Sequence, residues 1–183
     1  MDADRVVREA AAVLGEPLCD PIDLGGSERS AVLRCALPDG GTVVVKAYPQ
    51  TAAGRLGWAA EAAGLEFIEA MPSGGSGPRL LGVAPEVPLV VMSDLGSAPS
   101  LADLLLGSSQ PAAARAWLDW AVTCGRLAAV SAGCQDRFIR IGVPGRGLPA
   151  DAVQHLLVRS ADAIGPREGG GVRVPARGSG GVP

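Results

Sequence analysis

The sequence has little of several residue types on which binding and catalysis commonly depend. Only 3% of its 183 residues are aromatic, one residue is histidine and none is asparagine. Its cysteines form no C-x-x-C pair, and a single histidine cannot complete a zinc cluster with them. We therefore expect no zinc site, and we expect the cysteines to be reduced, small, buried residues. They are Cys19, Cys35, Cys124 and Cys134.

The chain also lacks a basic cluster and a long apolar run. Its formal net charge is -3 and its arginines are scattered singly, which argues against a surface dedicated to nucleic acid. No stretch has the length of an apolar transmembrane helix, and the N-terminus has neither the basic nor the apolar region of a signal peptide. We therefore predict a cytoplasmic protein that has no nucleic-acid or membrane partner.

Lysine is the scarcest cation of the chain. Lys46 is the only lysine among the 16 Lys and Arg residues, and it lies within the apolar run of residues 42–48. Because arginine is used everywhere else, a lone lysine suggests a position that requires a compact ammonium and not a planar guanidinium. The alternative is an ordinary solvated strand residue.

Hydrophobic periodicity predicts an α+β organisation. Helices are expected over residues 4–14, 57–71, 101–106 and 150–164, and in a long stretch that begins at Pro111 with Ser109 as its cap. Strands are expected over residues 21–24, 31–37, 42–48, 80–83 and 89–92, which suggests a sheet of about five strands. Residues 165–183 are rich in Gly, Pro and Arg, and we expect a disordered tail there.

Glu61 is a carboxylate within the apolar stripe of the predicted helix over residues 57–71. It follows Trp58 by three residues and precedes Leu65 by four, so it is expected on the packed side of the helix. An unpaired carboxylate there would be costly to bury, and Lys46 is the natural partner. The alternative is that Glu61 flanks the stripe and reaches water.

A glycine-rich turn over residues 25–30 precedes the Lys46 strand by one hairpin. Glycines let backbone N–H groups approach an anion closely. The spacing does not match a P-loop, and a glycine-rich turn alone is a weak signal. The turn becomes informative because it is followed along the chain by the strand that carries Lys46 and then by the helix that carries Glu61.

This order resembles the N-terminal lobe of protein-kinase-like enzymes, and the local sequence is similar to the aminoglycoside phosphotransferase and choline-kinase-like families. The resemblance spans residues 20–133. It rests on residues 24–27, 43–46, 61–68, 78–82, 90–96, 100–105 and 125–129. It implies a kinase-like N-lobe with leading helix and hinge over residues 1–96, and the first helices of an incomplete C-lobe over residues 97–164.

The resemblance also implies an ATP-binding role for nine residues. Lys46 would contact the α- and β-phosphates, and Glu61 would hold Lys46 in place. The others are Gly25, Gly26 and Ser27 over the phosphates, Met92 behind the adenine ring, and the backbone of Ser93, Asp94 and Leu95 at the adenine edge. Ser93 and Ala128 stand where the family commonly has an acidic residue and a histidine, but the adenine contacts come from the backbone.

The catalytic loop of the family, His-x-Asp-x-x-x-x-Asn, is missing from these 183 residues. There is no asparagine, and the one histidine, His155, is not followed by an aspartate two positions on. No ligand set for Mg²⁺ is recognisable, and we assign no catalytic residue. The leading hypothesis is therefore a truncated or degenerate small-molecule kinase that retains part of an ATP site and is inactive alone.

Two other hypotheses remain open. One is a non-catalytic kinase-like scaffold that binds a protein partner through the helix face of Trp117 and Trp120, which an incomplete C-lobe would leave uncovered. The other is an unrelated antiparallel-sheet domain whose lysine is accidental, and this would be favoured if Lys46 and Glu61 were far apart.

Overall fold

The computed structural model describes residues 2–27, 30–71, 77–84 and 86–142. The chain folds as an α+β protein with a five-stranded antiparallel sheet, as the periodicity predicted. The strands are β1 (Cys19–Ser27), β2 (Ser30–Ala36), β3 (Thr42–Ala47), β4 (Leu80–Ala84) and β5 (Leu89–Ser93). The helices are α1 (Ala3–Leu14), α2 (Ala52–Glu69), α3 (Leu101–Leu106), α4 (Gln110–Ser131) and α5 (Gln135–Gly142).

Strand β3 lies at the centre of the sheet, whose order is β1-β2-β3-β5-β4. Lys46 is opposite Val32 on β2 and Val90 on β5. Because side chains alternate along a strand, Val43 and Val45 face one side of the sheet, whereas Val44 and Lys46 face the other.

Helix α1 covers the first of these faces. Its buried residues Val6 and Ala10 pack in one core with Val43, Val45 and Val91 of the sheet. The Asp2 side chain accepts a hydrogen bond from the Asp4 N–H at the start of the helix, and Gly15 ends the helix at a φ of 73°. This is the leading helix that the sequence predicted.

Helix α2 covers part of the opposite face, the one that carries Lys46. Trp58, Ala62 and Leu65 pack with Val90 and Met92 of β5 in a second core. The Trp58 Nε1–H also donates to the Leu89 carbonyl at 2.8 Å, which fastens the helix to the sheet.

Helix α2 begins at Ala52, five residues before the predicted start. The Thr51 hydroxyl caps it by accepting from the Gly54 N–H. Gly54 also packs closely on the preceding turn, because a Cβ there would lie 2.0 Å from the Pro49 carbonyl oxygen. This first turn was missed because its residues, Ala-Ala-Gly-Arg-Leu, show little apolar periodicity.

The long helix predicted from Pro111 is α4, and Ser109 is its N-cap residue as predicted, although the Ser109 side chain makes no capping hydrogen bond. None of the 22 residues of α4, all of which the structure describes, is buried. Trp117 and Trp120 lie side by side with ring centroids 5.2 Å apart, and each is half exposed. Helix α5 was not predicted, and its Phe138 packs edge-on against Phe67 of α2.

The expectation of buried cysteines is correct for Cys35 only. Cys19 and Cys124 are exposed and Cys134 is half-buried, and all four are free. Burial, together with nearby Cys19, raises the pKa of the Cys35 thiol.

Some predictions fall outside the described residues, namely the helix over 150–164, His155 and the tail over 165–183. Among the helices that the structure does describe, none combines the length and the apolar character that a membrane span requires.

Candidate functional site

Lys46 and Glu61 meet on the sheet face that α2 covers. The Lys46 Nζ lies 2.5 Å from Glu61 Oε2, and the two side chains are 27% and 26% exposed. Strand alternation points the lysine towards α2, and the helical spacing from Trp58 points the glutamate towards the sheet. The predicted ion pair is therefore confirmed, and the alternative, in which Glu61 flanks the stripe and reaches water, is wrong.

Tyr48 is a third member of this cluster, and sequence reasoning missed it. Its hydroxyl donates a hydrogen bond to Glu61 Oε2, and the Lys46 Nζ lies 5.4 Å from the centroid of its ring. The ring also packs on Gly57, where a Cβ would approach Tyr48 Cε1 to 3.2 Å. The available signal was that Tyr48 follows Lys46 by two residues, which places both side chains on one face.

The glycine-rich segment differs from its prediction as a turn. Strand β1 continues through Ser27, so that Gly25, Gly26 and Ser27 belong to the strand, and Gly26 and Ser27 pair with β2. Gly25 adopts a φ of 90° at a register shift, and its N–H donates to Asp23 Oδ1 at 2.8 Å. Gly26 must lack a side chain, because a Cβ would lie 2.3 Å from the Ser30 carbonyl oxygen.

The register places this hairpin at the Lys46 end of the sheet. Gly26 is opposite Ala31, and Ala31 is opposite Ala47, the residue that follows Lys46. The described part of the hairpin therefore ends level with Lys46, with β2 between β1 and the Lys46 strand.

The predicted adenine-edge segment lies at the other end of β3. Ser93 is opposite Val43, and Met92 is buried opposite Val44 on the Lys46 face. The Ser93 N–H donates to the Arg79 carbonyl at 2.9 Å, and the Ser93 hydroxyl accepts from the Arg79 N–H at 2.9 Å. Leu95 is 71% exposed. Lys46 thus lies between this segment and the glycine-bearing hairpin.

The Asp94 side chain makes contacts that the sequence did not reveal. Its Oδ2 accepts from the Thr42 hydroxyl at 2.7 Å and lies 2.7 Å from Arg34 Nε. Its Oδ1 accepts from Arg34 Nη2 at 3.1 Å and from the Gly96 N–H at 2.9 Å. Burial alone would raise the pKa of Asp94, but the hydrogen bonds from Thr42, Arg34 and Gly96 and the charge of Arg34 outweigh it, so that the pKa is lowered.

All nine predicted ATP-binding residues lie within the described residues. Lys46, Glu61 and Met92 share one face of the sheet, and the two backbone segments lie at its opposite ends. Their ATP-binding role stays a prediction. No group of three or more His, Cys, Asp or Glu side chains in the described ranges is arranged to hold a metal ion.

No protein-family model matches this chain, and no curated protein matches it significantly. Among solved structures, it is similar to a protein provisionally named fructosamine-3-kinase from Thermobifida fusca YX-ER1, with 24% sequence identity and a TM-score of 0.44. The match covers 54% of this chain and 34% of the other chain. A match of this extent leaves the function to be inferred from the site.

Proposed function

We propose that this chain is the nucleotide-binding part of a small-molecule kinase similar to the aminoglycoside phosphotransferases. In this proposal it binds ATP between β3, the β1–β2 hairpin and the segment that follows β5. It does not transfer a phosphoryl group by itself.

The ion pair between Lys46 and Glu61 is the observation that carries the proposal. Kinases use a lysine on the third strand, held by a glutamate of the next helix, to bind the phosphates of ATP. Here the same pair joins β3 to α2, and the Tyr48 hydroxyl supplies a second donor to Glu61. An ammonium has three N–H donors, and Glu61 is its one hydrogen-bond acceptor among the described residues.

The surroundings of the pair support the same proposal. The β1–β2 hairpin carries Gly25 and Gly26 at the Lys46 end of the sheet, where the absence of side chains lets a phosphate approach the backbone closely. Val44 and Met92 provide an apolar surface on the same face, between Lys46 and the segment after β5. The phosphates would lie at Lys46 and the base near Met92.

Binding and transfer are separate in this proposal. Phosphoryl transfer in kinases needs an aspartate that orients the acceptor hydroxyl, and an asparagine and a second aspartate that hold Mg²⁺. These 183 residues contain no asparagine, and Leu157 stands two positions after the only histidine. ATP binding without turnover is the expected behaviour of this chain alone.

Calorimetric titration with ATP tests the proposal directly. We expect Lys46→Met to weaken ATP binding by at least about tenfold, because a charge-assisted hydrogen bond contributes roughly 1.5–3 kcal/mol. Glu61→Gln should weaken it less, since the lysine keeps its charge but loses its anchor. Glu69→Gln is the matched control, because Glu69 is exposed on the same helix.

Thermal unfolding of each variant must accompany the titration, so that loss of binding is separated from loss of the fold. The proposal is wrong if ATP binds the folded Lys46→Met variant as tightly as wild type, or if the wild type binds no ATP.

A second candidate function is a nucleotide-independent interaction module. The exposed face of α4, with Trp117 and Trp120 adjacent, favours it, because monomeric proteins rarely expose contiguous apolar patches of this kind. It predicts a protein partner whose binding survives Lys46→Met and is lost when both tryptophans are replaced by glutamine. Retained binding in the double tryptophan variant would exclude this face.

A further inference from the structure

We infer that Arg34 and Asp94 are positioning residues that hold the backbone of residues 94–96 in place for the base of the nucleotide. We call Arg34, Thr42, Asp94 and Gly96 the Arg34–Asp94 clamp. This inference rests on the proposed function, because it assigns the clamp to the base half of the same site.

The clamp joins three separate segments of the chain. Arg34 is on β2, Thr42 begins β3, and Asp94 and Gly96 follow β5. Both Asp94 oxygens are used, since Oδ1 and Oδ2 each have two partners within the clamp. The Asp94 side chain is only 8% exposed, so water competes little for these contacts.

The clamp lies on the same face of the sheet as Lys46. Arg34 is opposite Val44, and Val44 precedes Lys46 by two residues, so all three side chains point to one side. Thr42 precedes Lys46 by four residues, which places the clamp roughly 13 Å along β3 from the ion pair. The two polar clusters therefore mark opposite ends of one surface.

The clamp fixes the peptide groups around Leu95 from both sides. The Gly96 N–H donates to Asp94 Oδ1, and the Gly96 carbonyl accepts from Arg34 Nη2 at 2.8 Å. Gly96 has a φ of 89°, a conformation that favours glycine. The Leu95 N–H, between these anchors, donates to no acceptor in the described part of the chain. It is a fixed donor, and fixing a donor in advance lowers the entropic cost of binding.

Because the Asp94 carboxylate is occupied by Arg34 and Thr42, its effect on a ligand is indirect. Loss of the clamp should weaken contacts to the base and leave contacts to the phosphates unchanged. If the ion pair were purely structural, its loss would lower the stability of the protein but would not weaken base binding more than phosphate binding.

Calorimetric titrations with adenosine and with tripolyphosphate separate the two halves. We expect Arg34→Met to weaken adenosine binding about tenfold, the effect of losing one fixed contact, and to leave tripolyphosphate binding unchanged. Lys46→Met should show the reverse. Arg34→Lys should restore part of the adenosine affinity, since it keeps the charge but not the two-pronged geometry. Arg115→Met, at an exposed position on α4, is the matched control.

Amide hydrogen exchange without ligand tests the clamp independently of nucleotide binding. Arg34→Met should accelerate exchange of the Gly96 amide, whose N–H is hydrogen-bonded to Asp94, and Arg115→Met should not. Thr42→Val is a milder variant for use if Arg34→Met does not fold, because it removes one hydrogen bond and keeps the ion pair. It should also weaken adenosine binding and accelerate amide exchange, each by less than Arg34→Met.

The outcomes distinguish the two proposals. If wild type binds ATP but Arg34→Met binds adenosine normally, or loses adenosine and tripolyphosphate equally, the positioning role is overturned and the proposed function stands. Unchanged exchange of the Gly96 amide also overturns it. If wild type binds none of the three ligands, the proposed function itself fails, and the base-positioning role fails with it.

Discussion

Replacing Tyr48 by phenylalanine tests the hydrogen bond that ties Glu61 to the end of β3. The change removes one hydroxyl and leaves the ring, which packs against Gly57, in place. A hydrogen bond to a charged group contributes roughly 1.5–3 kcal/mol. Glu61 keeps Lys46 as a partner and is about one quarter exposed, so water replaces part of the loss. We therefore expect the free energy of unfolding to fall by about 1 kcal/mol.

Urea denaturation followed by tryptophan fluorescence measures this change. Trp58 lies in the same core as Tyr48 and is buried, whereas Trp117 and Trp120 are half exposed already. The spectral change on unfolding should therefore report mainly on Trp58. In thermal unfolding, the same variant should melt about 3 °C lower for a chain of this size.

A double-mutant cycle with Glu61→Ala identifies the partner of the hydroxyl. If Tyr48 acts through Glu61, Tyr48→Phe should cost little in the Glu61→Ala background, giving a coupling free energy of about 1 kcal/mol. Additive losses, with a coupling below about 0.3 kcal/mol, would refute the role assigned to the hydroxyl.

Three further predictions concern other parts of the molecule. Because the pKa of Asp94 is lowered in the folded protein, the ionised carboxylate adds stability that is complete well above pH 4 and is lost as the pH falls through the folded pKa. Asp94→Asn should therefore lower the free energy of unfolding at pH 7. Urea titrations should show that this difference shrinks below pH 4. Iodoacetamide at neutral pH should alkylate the exposed Cys124 and spare Cys35, whose pKa burial raises. Ser100→Ala should destabilise α3 by about 1 kcal/mol, because it removes a reciprocal capping box with Asp103.

Each of these three predictions has a clear contrary result. A constant difference between Asp94→Asn and wild type from pH 7 to pH 3 would mean that Arg34 and Thr42 do not favour the ionised carboxylate. Peptide mass spectrometry measures the two alkylation rates. If Cys35 reacted as fast as Cys124, the core between α1 and the sheet, which contains Cys35, would open readily. Unchanged stability in Ser100→Ala would mean that α3 forms without its cap.

The sheet and the ion pair could be predicted because each leaves a local signal. Short apolar runs indicated the strands of the sheet. Glu61 is a carboxylate within an apolar helical stripe, which indicated a partner on the buried side of the helix. Lys46, the only lysine and a residue of the preceding strand, was the natural candidate. Neither prediction needed the order of the strands in the sheet.

The Arg34–Asp94 clamp could not be predicted from such signals. Its two charged residues are 60 positions apart in the chain, and they meet because β3 pairs with both β2 and β5. Periodicity predicts which residues form a strand but not which strands become neighbours. Tyr48 was missed for a simpler reason, since it ends the predicted strand over residues 42–48 and no sequence pattern shows what its hydroxyl contacts.

Helix α5, which spans eight residues, was not predicted from the sequence. It is fixed by tertiary contact, through the edge-on packing of Phe138 on Phe67. The ATP-binding roles of the nine residues and the boundaries at residues 96 and 164 stay predictions.

The single lysine has a practical consequence for chemical labelling. Lys46 carries the only side-chain primary amine of these 183 residues, and that amine is held against a carboxylate. Within these 183 residues, amine-directed cross-linkers, acylating probes and coupling resins can therefore attach to only one side chain, that of Lys46. Within the described fold, the rate of ε-amine acylation becomes a direct readout of how often the ion pair opens.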